Sequence, residues 1–65
     1  MSMSEEGFGK LIAEIMSQGY DRETAGRYAG LIGDTPMMDE EGNLVVMEGG
    51  GRVLARLKPL KFFGG

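Results

Sequence analysis

The residues with the clearest potential for chemistry are the oxygen ligands between Asp39 and Asn43. Asp39, Glu41 and Asn43 stand at alternate positions, which is the spacing at which calcium-binding loops place their first ligands. The other features of such a loop are missing, because the glycine is misplaced and no bidentate glutamate closes the loop. The stretch is therefore predicted to be a solvated acidic turn, and no metal ligand is assigned.

The composition argues against an enzyme. The chain has 65 residues with no cysteine and no histidine, so the thiolate nucleophile, the usual general base and the commonest metal ligand are all missing. The serine, threonine and tyrosine hydroxyls have no imidazole to activate them, and so thin a core cannot enclose a cleft. We therefore expect no catalytic residue, no cofactor and no small-molecule substrate.

Charge is distributed unevenly along the chain. Up to Glu48 there are three basic and ten acidic residues, whereas after it there are four basic residues and no acidic one. Such asymmetry indicates a polyanion, an acidic protein partner or head-to-tail self-contact, and it fits equally well a basic segment that pairs with the chain's own acidic helices. The basic candidates for partner binding are Arg52, Arg56, Lys58 and Lys61.

Two pairs of bulky apolar residues complete the candidate binding site. They are Met37 with Met38 and Phe62 with Phe63, and both pairs are predicted to lie outside the regular elements. A small chain can use such residues in its core. If they are exposed instead, they form a patch of the kind that marks an interface, to which methionine contributes a side chain that adapts to irregular partner surfaces.

Residues 4–33 predict a hairpin of two amphipathic helices, because apolar residues recur there with helical spacing. Gly19 is expected to end the first helix in a left-handed conformation, and Asp21 is expected to cap the second. Small residues at every fourth position, including Gly26 and Gly30, predict tight packing of the second helix on the first. The two apolar stripes are Phe8, Leu11, Ile12, Ile15 and Met16, and Ala25, Tyr28, Ala29 and Ile32.

Residues 43–58 predict a two-stranded antiparallel hairpin, with strands at Leu44–Glu48 and Arg52–Lys58 and a glycine loop between them. Val53, Ala55 and Leu57 alternate with mostly basic residues, so one face of the second strand is expected to point inward and the other to be basic. Pro59 ends that strand, and residues 59–65 form a short tail. The predicted fold is α+β, a helical hairpin followed by a β-hairpin and a tail, in a single small domain of residues 1–65.

No stretch of the chain holds the roughly 18 continuous apolar residues that a membrane span needs. The opening residues, Met-Ser-Met-Ser-Glu-Glu, lack the basic start and apolar run of a signal peptide. We expect a cytoplasmic or virion protein that makes no membrane contact.

The run from Phe8 to Ala25, FGKLIAEIMSQGYDRETA, continuing to Ile32 and Gly33, resembles a hairpin found in small proteins and head-protein segments of tailed bacteriophages. That hairpin consists of a helix, a glycine, a polar cap, a Glu-x-Ala sequence and a second helix. The run is less similar to the first two helices of ubiquitin-associated domains, whose third helix has no counterpart here. The phage resemblance covers residues 8–33 and implies a small virion or phage accessory protein, without carrying over any functional residue.

These observations predict a non-enzymatic protein-interaction or structural subunit, acting on a protein partner or in self-assembly. Binding would use the basic strand and the apolar tail, either to clamp a neighbouring subunit or to add an edge strand to its sheet. A second hypothesis is a small nucleic-acid-binding regulator that uses the basic hairpin. A third is a small inhibitor that occupies a host enzyme.

Overall fold

The computed structural model describes residues 5–34 and 36–61, and Phe62 and Phe63 lie outside them. Two helices precede a three-stranded antiparallel sheet of order β1-β2-β3, so the α+β class is confirmed. Two strands were predicted, and the described residues form three. The elements are α1 (Glu5–Met16), α2 (Arg22–Asp34), β1 (Met37–Met38), β2 (Leu44–Glu48) and β3 (Arg52–Leu57).

Helix α1 buries the centre of its predicted apolar stripe. Leu11 and Ile15 are fully buried, and Phe8 and Ile12 are half-buried against the same cluster. Met16, at the end of the stripe, is 40% exposed. As predicted, Gly19 has a positive φ of 105°, and its N–H donates to the carbonyl of Met16 at 3.0 Å. This left-handed glycine ends the helix.

Helix α2 begins at the predicted cap. The backbone N–H of Thr24 donates to Oδ1 of Asp21 at 2.7 Å, which satisfies one of the free donors at the helix start. Ala25, Ala29 and Ile32 are buried along its inner side. Tyr20 and Tyr28 meet edge to face, with their ring centroids 5.4 Å apart, and both pack half-buried against the core.

The glycines of α2 do not have the packing role that their spacing predicted. A Cβ placed on Gly26 would lie 4.0 Å from Cδ1 of Ile12, and a Cβ placed on Gly30 would have nothing within 4 Å. Both positions have room for a side chain, so the helices do not depend on glycine for a close approach. That prediction was wrong, because the small residues that face the core are Ala25 and Ala29.

The third strand is β1, which was predicted to be irregular. Met37 lies opposite Val45, and Met38 lies opposite Leu44. The acidic turn is thus the loop of a second hairpin, and the N–H of Asp39 donates to the carbonyl of Asn43 at 2.9 Å to close it.

Strand β3 contains a β-bulge that breaks the predicted alternation. Val46 lies opposite Ala55 and Met47 lies opposite Val53, so Leu54 has no partner of its own. Two residues of β3 therefore oppose one of β2, and Leu54 and Ala55 both pack against the core. Val53, which was predicted to point inward, is 43% exposed.

The segment after β3 is built into the fold. The side-chain amide of Gln18 donates to the carbonyl of Lys58 at 3.0 Å and accepts the N–H of Lys58 at 2.9 Å. Leu60 is only 4% exposed, and the N–H of Lys61 donates to Oε1 of Glu14 at 2.7 Å. The core thus joins both helices, the sheet and this segment. Its buried members are Leu11, Ile15, Ala25, Ala29, Ile32, Leu44, Val46, Leu57 and Leu60.

Candidate protein-binding surface

One face of the sheet has no helix on it. Helix α2 packs against β2 on the side where Leu44 and Val46 join the core. Successive side chains of a strand point to opposite faces, so Val45 and Met47 lie on the other face. That face has no covering element among the described residues.

The register of the sheet shows which residues share this face with Val45 and Met47. Residues directly opposite each other on neighbouring strands point to the same side. Val45 has Met37 opposite it on β1 and Arg56 opposite it on β3, and Met47 has Val53 opposite it on β3. We call this surface the open face; it comprises Met37, Val45, Met47, Val53 and Arg56.

The open face is mainly apolar. Met37 and Val53 are each 43% exposed, and Val45 and Met47, on the central strand, are half-buried between their neighbours. Contiguous apolar surface on a water-soluble domain is typical of an interaction site. The two methionines add side chains that can repack against different partner shapes.

The polar end of the open face is the β1–β2 turn. Nε of Arg56 lies 3.5 Å from Oδ2 of Asp39, and an open recess of about 350 Å³ runs between Arg56 and the acidic turn. The lining of the recess is completed by Glu40, Glu41 and Asn43. An arginine and three carboxylates therefore border the apolar surface on this side.

The carboxylate of Asp39 organises that turn. Its Oδ1 accepts the backbone N–H of Asn43 at 2.8 Å and that of Glu41 at 2.9 Å. The hydrogen bond from Asn43 lowers the pKa of Asp39 below its ordinary value of 3.8, and Glu41 and Arg56 act in the same direction against the effect of desolvation. Within residues 5–34 and 36–61, no group of three or more acidic side chains is placed to hold a metal ion.

Arg52 does not share a face with Arg56. Arg52 lies opposite Glu48, and Arg56 lies opposite Val45. Because Val45 and Glu48 are three positions apart on β2, their partners point to opposite sides of the sheet. Glu48 is on the helix side, where one of its oxygens is 3.8 Å from Nη2 of Arg27. The prediction that Arg52 and Arg56 share one basic face of β3 was wrong, because the bulge between them reverses the alternation of side chains.

The other predicted site residues are dispersed. Lys58 and Lys61 are exposed residues, and their backbone groups bind Gln18 and Glu14. Met38 lies opposite Leu44 and therefore on the helix-covered face of the sheet. It is nevertheless 59% exposed, because it is at the margin of the sheet. The structure thus brings together Met37 and Arg56, places Arg52 and Met38 on the other face of the sheet, and leaves Lys58 and Lys61 beyond the end of β3.

Sequence reasoning missed three members of the open face: Val45, Met47 and Val53. A signal for the first two was present, since Leu44-Val45-Val46-Met47 is apolar at every position. A strand that is apolar on both sides is typical of sheets covered on both faces. No comparable signal marks Val53, because its orientation depends on the bulge.

The edges of the sheet are less suited to binding than its face. Gln18 occupies both backbone groups of Lys58, just past the end of β3, and the bulge at Leu54 interrupts the rest of that edge. The opposite edge strand, β1, has only 2 residues. Short, bulged and covered edges disfavour pairing with a further strand.

A second apolar surface lies on the outer side of α1. Gly9, Ile12, Ala13 and Met16 line an open groove of about 220 Å³, together with Arg22 at the start of α2. Met16 is its most prominent apolar side chain, at 40% exposed. The groove is smaller than the recess beside the acidic turn.

No described helix is both long and apolar enough to cross a membrane. The comparisons with protein-family models, with curated proteins and with solved structures each find no match to this chain.

Proposed function

We propose that this chain is a non-enzymatic protein-binding or structural subunit that docks through the open face of its sheet. The observation that supports the proposal is the apolar content of a face that no described element covers, with Met37 and Val53 each 43% exposed on either side of β2. Burial of apolar surface is the main favourable term in protein association. The acidic turn and Arg56 then serve as the polar rim that orients the partner.

A virion subunit, as implied by the resemblance of residues 8–33 to phage hairpins, is one setting for this role. Small domains without disulfides or metals often gain stability from assembly. In such a setting the open face would be buried against a neighbouring subunit, and the helical layer would face outward.

The arrangement of the basic residues favours protein binding over nucleic-acid binding. A phosphate backbone is bound by a stripe of unpaired cations on one surface. Here Arg52 and Arg56 point to opposite faces of the sheet, and Arg56 is engaged by Asp39. The recess beside Arg56 is lined by three carboxylates, which would repel a polyanion.

The test compares three baits in extracts of the cells that make the protein: the wild-type chain, Val53→Lys and Ala13→Lys. Val53→Lys places a charge in the open face, and Ala13→Lys places the same charge in the α1 groove. We expect the amount of each captured partner to fall with Val53→Lys and to be unchanged with Ala13→Lys. Capture that is unaffected by Val53→Lys, or that is lost only with Ala13→Lys, would contradict the proposal.

A further inference from the structure

We propose that the partner of the open face is a second copy of this chain, packed sheet to sheet about a two-fold axis nearly parallel to β2. This inference rests on the proposed function, since it names the occupant of the same surface. The charged residues on the two sides of the open face, one acidic and one basic, support it.

The charges on the two sides of the open face are of opposite sign and lie at the same end of the sheet. The acidic turn joins β1 to β2 and carries Glu40 and Glu41, both exposed. Arg56, the next-to-last residue of β3, and Lys58, just past the end of β3, lie close to the start of β2, because Leu57 is opposite Leu44. Across the sheet order β1-β2-β3, the rim thus runs from acidic to basic.

A surface complementary to this one needs the reverse order, basic opposite the acidic turn and acidic opposite β3. A second copy supplies that order. A half-turn about an axis parallel to β2 keeps each position along the strands and places β1 of one copy over β3 of the other. Glu40 and Glu41 of each copy then lie over Arg56 and Lys58 of the other, and both contacts form at once because the interface is isologous.

The centre of the same arrangement is apolar in both copies. Val45 and Met47 of β2 lie near the axis, and Met37 and Val53 flank them. Stacked sheets pack at about 10 Å with their strands within about 30° of each other, which the proposed axis allows. The exposed part of Arg56, whose side chain is 60% accessible, retains donors for a carboxylate of the second copy beyond its contact with Asp39.

The experiment measures the molar mass of the full chain by sedimentation equilibrium from micromolar to millimolar concentration. We expect a reversible dimer for the wild-type chain. The double variant Glu40→Lys/Glu41→Lys and the single variant Arg56→Glu should each raise the dimer dissociation constant roughly tenfold or more, because two attractive contacts become repulsive. Mixing the two variants should restore a heterodimer of near wild-type affinity, since each contact then pairs opposite charges again.

A wild-type chain that stays monomeric at millimolar concentration would overturn the inference. So would a dimer that the charge reversals leave unchanged, or variants that remain folded by circular dichroism and fail to recover association on mixing. If Arg56→Glu unfolds because it opposes Asp39, Lys58→Glu replaces it in the mixing experiment. Loss of captured protein with Val53→Lys from a chain that is itself monomeric would leave the proposed function standing and refute only the second copy as the occupant.

Discussion

Gln18 binds Lys58 as a neighbouring strand would, with its side-chain amide donating to the Lys58 carbonyl at 3.0 Å and accepting the Lys58 N–H at 2.9 Å. These two residues are 40 positions apart. The pair ties the loop between the helices to the end of β3. It thereby positions Leu60, which is buried two residues further on.

Replacing Gln18 by alanine should therefore destabilise the whole domain. The change leaves two backbone groups of Lys58 without a protein partner, and because they are near solvent we expect a loss of about 1 kcal/mol in the free energy of unfolding. For a domain of this size that corresponds to a melting temperature lower by roughly 4 to 8 °C. Thermal unfolding followed by circular dichroism measures it.

The matched control is Lys58→Ala, which removes an exposed side chain and keeps both backbone hydrogen bonds with Gln18. At low micromolar concentration, which keeps any association of the open face out of the comparison, its melting temperature should stay close to that of the wild-type chain. A Gln18→Ala variant that melts with the wild type would show that the amide pair adds nothing to stability.

Glycine substitutions should have opposite effects in α2 and in the acidic turn. Gly30 is in a helix, and a Cβ there would meet no atom within 4 Å, so Gly30→Ala should raise the free energy of unfolding by up to about 1 kcal/mol through helix propensity. Gly42 has a φ of +86°, which a residue with a Cβ adopts only with strain. Gly42→Ala should therefore lower stability by about 1 kcal/mol.

Both changes can be measured by urea unfolding. If glycine at position 30 were needed for a close helix approach, as its spacing suggests, Gly30→Ala would be destabilising. That result would contradict the open space found beside this position.

The elements that were predicted from the sequence are those set by local rules. Helical spacing predicts which side of α1 carries Leu11 and Ile15, and capping chemistry predicts the roles of Gly19 and Asp21. The strand β1 could not be predicted from Met37 and Met38 alone, because two residues carry no readable alternation. Its existence depends on the turn that Asp39 closes.

The candidate site was harder to predict, because it depends on the register of the sheet. No glycine or proline marks the bulge at Leu54, so a regular alternation was the natural interpretation of β3. That interpretation placed Arg52 and Arg56 together and Val53 in the core. The register between β2 and β3 separates the two arginines and brings Val53 to the surface.

Acid should destabilise the fold through Asp39. The N–H of Asn43, with help from Glu41 and Arg56, lowers the pKa of Asp39 in the folded chain below 3.8. Its stabilising contribution is therefore complete above the pKa of the unfolded chain and is lost as the pH falls through the lower pKa of the folded chain. Asp21 acts in the same direction, because its hydrogen bonds from Thr24 also lower its pKa.

Asp39→Asn should preserve the turn, since an amide oxygen can accept the same backbone N–H groups, and should remove the titration. Urea midpoints measured at low micromolar concentration, where the open face does not associate, from neutral pH to well below 3.8 should fall less steeply for this variant than for the wild-type chain. Glu40→Gln is the matched control, because the Glu40 side chain makes no hydrogen bond or ion pair with the described residues, and it should retain the wild-type slope. An acid dependence that Asp39→Asn leaves unchanged would assign the effect to other carboxylates.

The bulge in β3 can be tested by placing one lysine at each of two adjacent positions. Leu54 is half-buried against the core, so Leu54→Lys should lower the free energy of unfolding by about 1 to 2 kcal/mol, a fraction of the value for a fully buried leucine. Val53 is 43% exposed, and Val53→Lys in the isolated chain should change stability by no more than about 0.5 kcal/mol. A regular strand predicts the reverse order, because Val53 would then point to the core with Ala55 and Leu57.

Urea unfolding at low micromolar concentration keeps any association of the open face out of the comparison. If Val53→Lys proves the more damaging of the two changes, the bulge is absent in solution, and the open face loses the apolar residue that β3 contributes to it.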